Sequence, residues 1–164
     1  MACIKEFRSR MKNIPSYSFT VKGLSEGEHL FSFNIDDGFF AMFDGSEIQK
    51  GKLKAEVCVE KTANVIKIRT HIDGFVAVEC DRCLDELRLP VDSVYDAIVK
   101  HAPEGEQTQV DDEGVILLNK MDTEVDLSQS LFDSIILSLP LQRLHPKGKC
   151  NKEMEAKLAS LQVN

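Results

Sequence analysis

Residues 52–60 read Lys-Leu-Lys-Ala-Glu-Val-Cys-Val-Glu, a strict alternation of apolar and polar side chains. Leu53, Ala55, Val57 and Val59 fall on one side, and Lys52, Lys54, Glu56 and Glu60 on the other. A period of two is the pattern of a strand with one face buried and one in water. Cys58 falls on the polar side. The alternation resumes from Val65 to Ile72 through Ile66 and Ile68, after a turn at Thr62-Ala63-Asn64. Asp73-Gly74 reads as a second turn and Phe75–Glu79 as a third strand. Upstream, Phe31, Phe33 and Ile35 alternate with Ser32 and Asn34, and Asp36-Asp37-Gly38 ends that run with a turn. Phe39, Phe40, Met42 and Phe43 read as core. These runs predict an antiparallel meander or a partly open barrel.

Downstream, Leu87, Leu89, Val91, Val94, Tyr95, Ile98 and Val99 predict a bent or bulged strand broken near Pro90, and Val115–Leu118 a short buried one. Leu127, Leu131, Ile135 and Leu139 recur at helical spacing beside Phe132 and Ile136. Asp126 or Ser128 is placed to cap that helix and Pro140 to stop it. Met154, Leu158 and Leu161 predict a shorter tail helix. The fold class is α+β: one β-rich domain over residues 1–152, with a mobile acidic loop at 101–114 and a tail at 153–164.

The third strand runs into Glu79-Cys80-Asp81-Arg82-Cys83-Leu84. A Cys-x-x-Cys that opens a helix suits thiol–disulfide chemistry, because the helix N-terminus lowers the thiol pKa. Here the Leu87/Leu89/Val91 alternation and Pro90 put the pair at a hairpin tip, the geometry of a zinc knuckle. Sixty-one residues lie between Cys83 and His145, where His145-Pro146-Lys147-Gly148-Lys149-Cys150 offers two further ligands. Cys80, Cys83, His145 and Cys150 would together make a tetrahedral Cys3His zinc set. The alternative is that the cysteines are small buried residues at a turn. Cys3 and Cys58 stand outside the set.

The chain carries a net charge of −7, with segregated charges. Residues 104–126 hold eight acids and one base, while the remainder is neutral. Within that remainder Arg143, Lys147, Lys149 and Lys152 form a basic zone around the second ligand pair, either a solvated loop or a phosphate-facing patch. The N-terminal residues carry Lys5, Arg8, Arg10 and Lys12. Five cysteines and no apolar leader point to thiols that are reduced, buried or metal-bound, and to the cytoplasm, and no run is long enough to span a bilayer. There is no phosphate loop, dinucleotide fingerprint or nucleophile–base pattern, so no enzyme activity is expected. Aromatics are not interleaved with bases along the sequence, so no stacking platform for RNA is evident.

The order of these pieces resembles the YceD family of large ribosomal RNA subunit accumulation proteins. The resemblance runs over about residues 20–152. It rests on Val78-Glu79-Cys80-Asp81-Arg82-Cys83-Leu84, an acidic linker, Val125-Asp126-Leu127, the helix ending Ile136-Leu137-Ser138-Leu139-Pro140, and Leu144-His145-Pro146 followed by Cys150. Many relatives carry a second close cysteine pair after the helix, where this chain has His145 and Cys150. The resemblance implies a non-enzymatic accessory factor for accumulating large-subunit ribosomal RNA, acting on that RNA or a pre-ribosomal particle. Arg82, Arg143, Lys147 and Lys149 are the expected RNA contacts. The alternative is an adaptor whose acidic segment holds a basic ribosomal protein, since opposite potentials steer association.

Overall fold

Alternation fixes the main sheet. The structure, a computed structural model, describes residues 17–63, 65–101, 114–119 and 121–161. Cys3 and the N-terminal bases, Asn64, residues 102–113 of the acidic loop and Lys120 lie outside these. Strands β1 (Ser18–Thr20), β2 (Gly27–Ile35), β3 (Lys50–Lys61), β4 (Ile66–Glu79), β5 (Glu86–His101), β6 (Val115–Leu118) and β7 (Glu124–Asp126) are joined by helices α1 (Asp37–Phe40), α2 (Ser128–Ser138) and α3 (Lys152–Leu161). The five-stranded sheet has the order β2-β3-β4-β5-β6 and remains open; β1 and β7 form a separate antiparallel pair.

One face of the sheet is the core. Rows such as Phe33–Ala55–Ile72–Ser93 run across β2 to β5 in register. Leu53, Ala55, Val57 and Val59 are all buried, as their spacing predicts. On β4 the even positions Ile66, Ile68, Thr70, Ile72, Val76 and Val78 face inward, and the same parity carries Cys80 into the core at 0% exposure. Helix α2 covers this face through Leu131 and Ile135, and Phe132 stacks on Phe43 at 4.0 Å between ring centroids. The opposite face of the sheet is the exposed one.

Several expectations are corrected. Asp73-Gly74 is not a turn: β4 runs unbroken through it. Gly74 has φ +144°, and a Cβ there would lie 2.3 Å from the Lys52 carbonyl oxygen. Glycine is needed for the close approach of two backbones, and the inward parity is unaffected. β5 is likewise continuous through Pro90, which pairs with Phe75. β6 meets β5 only from Ile98 onward, so Pro90 lies where β5 has no second strand partner among the described residues. β6 pairs in parallel, which a meander does not contain. Asp36 caps α1 through the Gly38 amide instead of closing a turn, and Met42 is exposed. The cap position of α2 is the buried Leu127; Asp126 instead accepts the Ser128 amide at 2.8 Å. The tail helix forms over Lys152–Leu161, with Asn151 Oδ1 accepting the Glu153 amide and Met154 packed on the core.

Candidate metal centre

The β4–β5 hairpin has a six-residue tip. The Cys80 amide donates to the Asp85 carbonyl at 2.9 Å, and the Leu84 amide to the Cys80 carbonyl at 2.9 Å. Leu84 takes φ +62°, alone among the described non-glycine residues, a left-handed step at the point where the tip returns toward β5. The tip then docks on the segment after α2. The Asp81 amide donates to the Arg143 carbonyl at 2.8 Å, and the Arg143 amide to Asp81 Oδ2 at 2.7 Å. The Arg143 guanidinium completes this clasp with Glu47 at 2.5 Å and Asp81 at 3.5 Å. Beyond it, the Lys149 amide closes a turn onto the Pro146 carbonyl at 3.0 Å, with Gly148 at φ +78°. That turn returns Cys150 beside His145.

The ligand atoms of Cys80, Cys83, His145 and Cys150 consequently all lie within 4.8 Å of one another. Cys80 Sγ is 4.0 Å from Cys150 Sγ, far beyond a disulfide bond, and Cys83 Sγ is 3.3 Å from His145 Nδ1. Tetrahedral zinc with bonds of about 2.3 Å to sulfur and 2.0 Å to nitrogen has edges of about 3.8 and 3.5 Å. The cluster fits that size. His145 Nε2 lies 3.2 Å from the Glu86 carbonyl oxygen. A proton on Nε2 satisfies that carbonyl and leaves the Nδ1 lone pair to the sulfurs, the usual outer-shell arrangement of a metal-binding histidine.

The electrostatics fit the same use. Burial pushes the Cys80 thiol up, but backbone amides of Cys83, His145 and Arg82 donate to its sulfur, and the outcome is a pKa lowered to about 6. Hydrogen bonds to Cys80 and then Cys83 raise the imidazole pKa of His145. Burial, followed by the neighbouring sulfurs, raises Cys150. Three thiols so close cannot all ionise unless a cation sits among them. The four residues could hold a metal ion.

The expected cations around the site differ in availability. Arg82 directs Nη1 to Cys150 Sγ at 3.8 Å, and Arg143 is committed to the clasp. Lys147 and Lys149 are exposed on the turn between the last two ligands. Cys58 lies half-buried on the outer side of β3, opposite Arg69 on β4; it is not in the cluster, and it is disulfide-bonded, against the expectation for the thiols. The sequence reading missed Glu47 and Asp81, the partners of Arg143, and the Glu86 carbonyl. None of these has a local signature, since each acts across a long stretch of chain.

Among the described residues no helix is long and apolar enough to cross a membrane. No curated protein and no solved structure matches the chain. The family model described as large ribosomal RNA subunit accumulation protein YceD matches residues 68–162, which include all four ligand residues and more than half of the chain. With the Cys-x-x-Cys tip, helix α2 and the His145–Cys150 turn all inside the match, the chain belongs to the YceD family.

Proposed function

We propose that this protein is a non-enzymatic accessory factor for the accumulation of large-subunit ribosomal RNA, and that a structural zinc ion fastens its C-terminal segment to the sheet. Zinc with four protein ligands has no open position for a substrate or an activated water, so its contribution is to folding. The observation that carries the reading is the placement of Lys147 and Lys149 on a turn closed at both ends by ligands, His145 and Cys150. A metal there holds two exposed cations in a fixed relation to Arg82. This rim suits the phosphates of the RNA or a pre-ribosomal particle. Arg143 contributes by clasping the turn in place.

The test is association with large-subunit precursors in a density gradient. The double substitution K147E/K149E is expected to reduce association without lowering thermal stability, and the rim's share of RNA affinity to fall with salt at a log–log slope of about −2. If K147E/K149E associates as wild type while deletion of residues 104–114 abolishes association, the rim reading is wrong. A basic ribosomal protein held by the acidic segment is then the partner.

A further inference from the structure

The outer face of the sheet does across strands what the sequence does not do along the chain. Lys52, Phe75 and Pro90 form one row over β3, β4 and β5, and Lys50, Ala77 and Arg88 form the next. Phe75 is half-buried on this solvent face, and the Arg88 guanidinium carbon lies 5.1 Å from its ring centroid. Lys50 shares Glu86 with Arg88 at 3.2 and 3.9 Å, whereas Lys52 is exposed and joins no ion pair among the described residues. Apart from Pro90, these side chains line a cleft of about 530 Å³ together with Asp36, Asp37 and Gly38, a size in the range of small-ligand sites. One oxygen of Asp36 accepts the Gly38 amide at 3.0 Å, and one of Asp37 the Gly51 amide at 2.9 Å. Both carboxylates are thus fixed, each retaining acceptor capacity.

An aromatic floor, cations around it and a carboxylate wall match three parts of one nucleotide. A base stacks on the ring and guanidinium, a phosphate meets an ammonium, and an exocyclic amine donates to a carboxylate. We propose that this cleft is a nucleotide subsite for single-stranded RNA: Phe75 and Arg88 stack a base, Lys52 meets its phosphate, and the Asp36/Asp37 wall selects bases with an exocyclic amine. The proposal rests on the RNA reading given above but uses a different surface from the metal-bound turn.

The experiment is fluorescence anisotropy of the full chain with labelled single-stranded oligoadenylate, oligocytidylate and oligouridylate. Oligouridylate, whose base has no exocyclic amine, is expected to bind most weakly. F75L keeps apolar cover but removes the ring, and is expected to lose about tenfold in affinity, while F75Y stays close to wild type. K52A is expected to make the salt slope shallower by about one, and K67A, on the outer face at the far end of β4, to change little. Circular dichroism melts of each variant establish that it is folded. F75L binding as tightly as wild type, or all three homopolymers binding equally, would overturn the proposal. If F75L is silent while K147E/K149E abolishes binding, the cleft is refuted and the rim survives; if no RNA binds at all, both fail.

Discussion

At Cys80 two opposing effects meet. Burial raises the thiol pKa, three backbone amides lower it, and the amides win, leaving about 6. A group whose folded value lies below its unfolded one stabilises the fold fully above the unfolded value. Its contribution is lost as the pH falls through the folded value, here between about 9 and 6. His145 runs the other way. Its raised value contributes stability that is complete below 6.5 and lost as pH climbs through the folded value. Cys150, also raised, contributes below its ordinary 9.0 and loses that only above it. In metal-free wild type the first two effects oppose each other. Metal-free H145Q should therefore become more stable to urea as pH rises from about 6 to 9, and adding C80S should flatten that dependence. The grouping of Cys80, Cys83, His145 and Cys150 was legible in the sequence because cysteine and histidine are scarce and their chemistry is narrow. Its supports were not legible: a carbonyl of Glu86, the amide of His145 and the left-handed Leu84 act through backbone positions that any residue type can supply.

Among the elements, β4 shows how a strong local signal can be overridden. Asp-Gly is a turn dipeptide in most settings. Gly74 instead passes the backbone of Lys52 and Leu53 at a distance no side chain allows. G74A is expected to cost about 3 kcal/mol or more, against little change for the exposed neighbour in D73A, both read from urea denaturation. The two-residue period survived this error, since Ile72, Gly74 and Val76 keep one parity. That is why the sheet face was legible even though the strand count was not. Helix α2 was legible for the matching reason, a stripe at helical spacing. I135A, which empties a fully buried position, should cost about 2–5 kcal/mol, while L137A, at 84% exposure, should cost almost nothing. The parallel pairing of β6 had no signature, because four residues carry no information about their partner.

Across the whole molecule, the cluster of Cys80, Cys83, His145 and Cys150 links distant parts of the chain. It joins the β4–β5 tip to the segment that follows α2, with the Arg143–Asp81–Glu47 clasp alongside. Removing zinc should thus act locally before it acts globally. Chelation is expected to speed amide exchange in residues 141–161 and at the hairpin tip, and to leave the β3–β4 ladder protected. Equal loss of protection throughout would mean that the centre holds up the entire fold. The proposed RNA reading depends on the same link, since a metal there would hold Lys147 and Lys149 in place. The most direct measurement is zinc-edge X-ray absorption on the purified full-length protein with its metal content counted. The expected result is about one zinc per chain with three sulfurs near 2.3 Å and one nitrogen near 2.0 Å. A chain that takes up no zinc, or zinc surrounded by oxygen alone, would contradict the account.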